Sequence, residues 1–338
     1  MPDKIITVDD RYTIRPTEAT DFDAVLGLHH AWEASINGRA LTTAEELQQE
    51  WDDPDFELEK STRVAFDQAG RLVGYCQVGH EKEMPVRPGI GVMLDPDNID
   101  FALGLALFQW GEAELQRVFP LVPDHAKVTL TSATDSRRTD FLPLYELAGL
   151  KPSGQIWQKM LITMEAKPEE ADLDPAVTIV TGDVFNDNRA VYNAHQDSFR
   201  DHRNFVARDR EQGFKRWTYW LVEDERTYDP SLWFLAIIDG QIAGLALCET
   251  LNTNYPDEGY VAILGVLPAY RGRGIAKYLL VHAFREYWER GMRKVGLMVD
   301  GSSITGADKL YLKAGMQVDK AYATYEKVLR DGEELSVQ

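Results

Sequence analysis

A chain of 338 residues, 44% hydrophobic and 27% charged, is long enough for two domains that each bury a core. Its formal net charge of −19, from 55 acidic against 36 basic residues, repels nucleic acid and anionic membrane and welcomes an amine substrate. No run approaches the roughly 18 apolar residues of a membrane span, and "MPDKIITVDD" lacks the basic start and apolar core of a signal peptide, so a cytoplasmic protein is expected.

In chain order, the first half reads as mixed α/β, with strand-like "RLVGYCQV" at 71–78 and "GVMLDP" at 91–96, then "LYELAGL" at 144–150. The acidic, proline-containing "EAKPEEADLDPA" at 165–176 has the composition of a linker. Beyond it "VTIV" is a short strand and residues 185–222 are helical, with aromatic packing from "FKRWTYWLVED". "LWFLAIID" and "QIAGLALCET" flank Gly240 as a hairpin, and "YVAILGVLP" is a further strand. A helix is expected over 273–290, because Ile275, Leu279, Leu280, Ala283, Phe284, Tyr287 and Trp288 follow the period of one buried face; Gly291 ends it. "KVGLMVD" is the next strand, and "GADKLYLKAG" a short helix closed by Gly315. Cys76 and Cys248 lie in strand-like runs without metal-ligand spacing and read as buried free thiols.

The halves repeat one another. Gly74 in "RLVGYCQV" matches Gly244 in "QIAGLALC", Pro96 in "GVMLDP" matches Pro268 in "GVLP", and "LYELAGL" matches "LYLKAGM" at 310–316. Similar offsets in the same order argue for duplication. The expected domains are residues 10–164, a linker at 165–176, and residues 177–330.

The second copy carries "AYRGRGIAKYLL" at 269–280. A strand ends at Pro268, the chain turns through Arg271–Gly274, and a helix begins at once, so its first free N–H groups point into the turn. Glycines 272 and 274 let backbone approach an oxygen closely and the helix dipole favours an anion, so consecutive N–H groups suit a pyrophosphate. The run matches neither G-x-x-x-x-G-K-[ST] nor an early G-x-G-x-x-G after a first strand.

Strand, proline, aromatic, then Arg271-x-x-Gly274-x-Ala276 resembles the coenzyme A loop of the GNAT acetyltransferase superfamily, [QR]-x-x-G-x-[GA]. "VGLMVDGSSITGADKLYLKAGM" is similar to that family's following strand and helix. The resemblance covers nearly all of residues 177–330, and the tandem arrangement resembles two-domain members. It implies two tandem GNAT-like α/β (mixed α+β) domains, each a twisted mixed sheet flanked by helices. It also implies acetyl-CoA as co-substrate, without a metal. On this likeness Leu264, Gly265 and Val266 lie on a splayed strand that pairs with the pantetheine arm. Arg271, Gly272, Arg273, Gly274, Ile275 and Ala276 hold the pyrophosphate, chiefly by backbone N–H. Ser302 and Ser303 stand where relatives often carry a cofactor-contacting asparagine; Ser303 is the one assigned to the cofactor. Tyr311 corresponds to the tyrosine that protonates the departing thiolate, a transfer open to a phenol of pKa about 10 facing a thiol near 8.5.

The incoming amine must lose a proton, and relatives often use a glutamate on the strand before the cofactor loop. Glu258 is the candidate for that role, Glu249 and water stay open, and Tyr260 stands where two-domain relatives carry a glutamate. Asp201, His202 and Arg203 border the acceptor side. In the first copy the loop after "GVMLDP" reads "DNIDFALG", so that Asp95 before it and Asp97 and Asp100 within it stand in place of the arginine and glycines; it repels a pyrophosphate and Tyr145 becomes a packing residue. The implied activity is acetyl transfer to the primary amine of a small molecule by a monomer or homodimer. A non-catalytic acyl-CoA sensor or scaffold, a longer acyl group, and a thiol or hydroxyl acceptor remain open.

Overall fold

A computed structural model describes residues 10–207, 209–302 and 307–337. It divides into two compact units, one running to Gln155 and including Tyr322–Leu335, the other comprising Ile156–Ala321 and the residues from Ser336.

The first unit contains β1 (Tyr12–Pro16), α1 (Phe22–Asn37), α2 (Ala44–Trp51), α3 (Leu58–Ser61), β2 (Thr62–Asp67), β3 (Leu72–Gly79), β4 (Gly89–Leu94), α4 (Phe101–Leu115), β5 (Val128–Asp135), α5 (Leu142–Leu147) and the start of β6 (Lys151–Thr163). The second contains the rest of β6, then β7 (Thr178–Thr181), α6 (Gly182–Phe185), α7 (Asn188–Phe199), α8 (Arg210–Leu221), β8 (Trp233–Ile238), β9 (Gln241–Glu249), β10 (Glu258–Val266), α9 (Ile275–Glu289), β11 (Lys294–Asp300), α10 (Ala307–Lys313) and the start of β12 (Gln317–Arg330).

Strand order is β1-β2-β3-β4-β5-β12 in the first unit and β6-β11-β10-β9-β8-β7 in the second. Among the described residues each sheet is antiparallel except for one parallel pair, β4 with β5 and β10 with β11. The expected mixed α/β duplication is therefore present. The period of two divides β8 between two cores: Phe234, Ala236 and Ile238 pack beneath α9, while Trp233 and Leu235 face α7 and α8. Gly74 and Gly244 occupy equivalent contacts, since a Cβ at Gly74 would sit 3.1 Å from Leu107 of α4 and one at Gly244 would sit 2.9 Å from Ile275 of α9. Both thiols are fully buried, and burial raises their pKa values.

Three expectations change. The helical stretch at 185–222 is broken, because Asn186 (φ 51°) and Asn204 (φ 66°) adopt left-handed backbone while Asp187 and Asp209 cap α7 and α8 by accepting amide hydrogens. Residues 165–176 are held against α9 by Lys167–Glu289 and Arg285 to the Pro168 carbonyl, and against the loop before it by Arg273–Asp174. The expected boundaries at 164 and 330 also move: Ile156–Thr163 belongs to the second unit, where β6 pairs with β11, and Tyr322–Arg330 belongs to the first, where β12 pairs with β5. Hydrophobic alternation marks a strand without naming its neighbour.

Candidate active site

The parallel strands β10 and β11 share a register only over Glu258–Tyr260 with Lys294–Gly296. On its other edge β10 stays paired with β9 out to Val266↔Gly244, with a bulge between Val261 and Ile263. Leu264, Gly265 and Val266 thus lie beyond the paired segment, on the expected diverging stretch. Tyr287 of α9 pins the point of divergence. Its buried hydroxyl lies within bonding distance of the Glu249 and Tyr260 carbonyl oxygens and accepts the Tyr260 N–H at 3.1 Å. The ring fills the place of a side chain at Gly259, where a Cβ would lie 2.4 Å from it.

Val295, Leu297 and Val299 enter the core under α9, so by alternation Gly296, Met298 and Asp300 present to the opposite face. Met298 and Trp157, near-neighbours across the β6–β11 ladder, remain 39% exposed there.

After β10 the chain turns through Pro268–Tyr270 into the loop that caps α9. Gly272 (φ 78°) and Gly274 (φ 79°) are left-handed, and no atom lies within 4 Å of a Cβ built on either. Gly274 is the N-cap and supplies no side-chain acceptor, so the first amides of α9 keep their hydrogens directed outward. Ile275 is buried and anchors the helix start. Both loop arginines are engaged with protein: Arg273 bonds Asp174 at 2.6 and 2.9 Å, and Arg271 reaches Val266, Ser198 and Asp201. With both guanidinium groups so engaged, an anion at this helix start would meet backbone amides.

The counterpart in the first unit is closed. Asp100 caps α4 with its own carboxylate, accepting from the Ala102 and Leu103 amides at 2.8 and 3.3 Å and from Tyr12 and Arg11. Although burial opposes it, these bonds hold Asp100 below its usual pKa. Asp95 pairs with Arg71 at 2.9 Å.

Glu258 sits apart from the divergence. Its carboxylate is nearly fully buried, 2.8 Å from Lys159 Nζ, which also lies 3.2 Å from Asp319 and 3.2 Å from the centre of the Tyr255 ring. A carboxylate committed to a buried lysine is poorly placed to accept a substrate proton, which corrects the expectation for Glu258. Lys159, Asp319 and Tyr255 escaped sequence reasoning because the strand bearing Lys159 arrives from the other repeat. Glu249, cross-strand from Tyr260, is only partly exposed; burial and the nearby Asp224 push its pKa up to about 7.

Tyr311 is 6% exposed, and burial raises its phenol to about 12. Among the described residues its hydroxyl makes no hydrogen bond. Tyr145 contrasts with it: its hydroxyl meets Ser132 at 3.3 Å, and its ring stacks on Tyr325 at 4.5 Å. Ser302 donates back to Asp300, and Ser303 lies outside the described residues. Of the three acceptor-side candidates, Asp201 pairs with Arg271, His202 is partly buried with its pKa lowered by burial, and Arg203 is exposed.

A profile of the acetyltransferase (GNAT) family matches residues 188–316, the segment that contains this loop and Tyr311. That segment of the chain, residues 188–316, matches the GNAT acetyltransferase family. It is 27% identical over 254 residues to mycothiol acetyltransferase of Saccharopolyspora erythraea, covering 73% of this chain and 79% of that one. Over 86 residues it is 37% identical to N-alpha-acetyltransferase MAK3 of Arabidopsis thaliana, covering 25% of this chain and 45% of the relative. The chain spans about half the length of the first curated relatives it matches, 45% and 52%. A GCN5-related N-acetyltransferase from Sphaerobacter thermophilus superposes with a TM-score of 0.81 at 29% identity, covering 98% of this chain and 100% of that one. A tandem GNAT protein from the clavulanic acid biosynthesis pathway superposes at 0.67 and 15% identity, covering 95% and 100%, a likeness of fold. Among the described residues no helix is long and apolar enough to cross a membrane, and no cluster of three His, Cys, Asp or Glu could hold a metal ion.

Proposed function

We propose that this chain transfers an acetyl group from acetyl-CoA to the primary amine of a small molecule, using the second unit alone. The observation that carries the reading is the open, glycine-capped start of α9 beside the divergence of β10 from β11. The loop amides from Gly272 to Ala276 would bind the pyrophosphate, and the free edge of β10 at Leu264–Val266 would pair with the amide-bearing pantetheine arm as an added strand. The cofactor supplies the activated acyl group; the remaining steps belong to side chains.

Glu249 takes the base role in preference to Glu258. A carboxylate with a pKa near 7 is matched to accepting a proton at neutral pH, directly or through water, whereas Glu258 neutralises Lys159. Tyr311, neutral at every working pH and with no hydrogen-bond partner among the described residues, donates its proton to the departing thiolate. Its raised pKa makes that transfer uphill against a free thiol, but the water exclusion that raises the phenol raises a buried thiol too. A relative named for N-alpha-acetylation supports an amine acceptor, as does the chain's negative charge.

The test is purified protein with acetyl-CoA against a library of small amines and peptide N-termini, reading thiol release. Acetylated amine with stoichiometric thiol is expected. Binding of acetyl-CoA with no turnover on any acceptor would favour a sensor instead.

A further inference from the structure

The arginine that opens the loop motif points away from the cradle. Arg271 Nε donates to the Val266 carbonyl at 3.1 Å, at the end of β10, and Nη2 donates to the Ser198 carbonyl at 2.8 Å, near the end of α7. Nη1 and Nη2 together grip both carboxylate oxygens of Asp201, just beyond α7. The fit beneath them is close: a Cβ on Gly265 would lie 2.3 Å from Ser198 Oγ, so only glycine lets α7 settle onto β10. Asp201 is thus a carboxylate fixed beside a loop whose proposed ligand is an anion.

We infer that Arg271 and Asp201 form a bracket that positions the cofactor loop, tying it to β10 and to the helix bordering the acceptor side, and that Arg271 does not ligand the pyrophosphate by its side chain. The inference rests on the proposed function, since it presumes that the loop holds acetyl-CoA. It gives Asp201 a positioning role that simple electrostatics would deny. A bare negative charge near a multiply charged phosphate opposes binding, so removing it would tighten the complex. If Asp201 instead holds Arg271 in the geometry that shapes the loop, removing it loosens the complex.

Two variants separate the alternatives by calorimetric titration with acetyl-CoA, with thermal unfolding followed on the same samples. Asp201→Asn should weaken binding by about ten-fold, the scale expected when one member of a coupled pair is lost. Arg271→Lys keeps the charge but cannot reach three separate acceptors with a planar fork, so it should weaken binding as much as Arg271→Ala does. Arg271→Ala/Asp201→Asn should be no weaker than the worse single variant. In turnover the loss should appear in the KM for acetyl-CoA, with kcat at saturation little changed, and Asp201→Glu should restore part of it. Unchanged or tighter binding by Asp201→Asn, or near-normal binding by Arg271→Lys, overturns the bracket; should Asp201→Asn fail to fold, the lysine variant decides. Wild-type protein that binds no acetyl-CoA overturns the functional reading and the bracket with it.

Discussion

Two glutamates show how much a residue's neighbours decide. Glu249 and Glu258 end and begin adjacent strands, yet one carries a raised pKa of about 7 and the other is buried against a lysine. Because the folded pKa of Glu249 is raised, its protonated form is the stabilised one. Stability from that proton is complete below the ordinary glutamate range and is lost as pH rises through about 7. On the proposed mechanism the same ionisation creates the base, so kcat/KM should rise with pH along a limb centred near 7. In Glu249→Gln that limb should vanish, turnover should fall by roughly 10²-fold or more, and stability at pH 8 should increase. A limb that survives in Glu249→Gln would return the base role to water. Asp201, held below its usual pKa by Arg271, loses its charge only in strong acid and so does not disturb this window. Tyr311→Phe removes the proposed proton donor but keeps the ring. Turnover should drop while acetyl-CoA affinity, measured by titration, stays within about two-fold.

At the scale of elements, the repeat explains why only one tyrosine is available. The spacing of 166 residues that relates Tyr145 to Tyr311 also relates Lys159 to Tyr325. In the first unit Tyr325 stacks on Tyr145; in the second, Lys159 turns to Glu258 and Asp319. Replacing it should expose what it neutralises. Lys159→Met leaves a buried carboxylate unpaired and should cost about 3–5 kcal/mol in denaturant unfolding, with Lys159→Met/Glu258→Gln recovering much of it. A loss below 1 kcal/mol would mean that water or Lys320 already serves those carboxylates. The contrast also marks what was legible beforehand. The α9 loop could be read because its signal is local: glycines, a proline and an amphipathic helix within some twenty residues. The partners of Glu258 could not, since Lys159 is remote in sequence and its strand reads alike whichever neighbour it joins. Tyr287 was legible as a core residue, but nothing in its spacing shows a hydroxyl that pins two strands.

For the whole molecule, duplication supplies two similar frameworks, and on the proposed function the helix caps determine which would hold the cofactor. Asp100 places its carboxylate on the Ala102 and Leu103 amides, the groups a pyrophosphate would need, while Gly274 leaves the corresponding amides of α9 uncovered. An incoming phosphate at α4 must displace an internal ligand of its own charge, one further held by Tyr12 and Arg11. The entropy of binding opposes that exchange, because the internal carboxylate is already in place. Calorimetric titration should therefore give one acetyl-CoA per chain. Gly274→Glu should reduce that to none, by placing a bulky anion in a left-handed position on the open cradle, while far-ultraviolet dichroism stays native. Asp100→Asn should leave the stoichiometry at one, since a neutral cap still satisfies an amide and supplies no cation. A stoichiometry near two for wild-type protein, with one site surviving in Gly274→Glu, would show that the first unit binds the cofactor by groups other than the α4 amides.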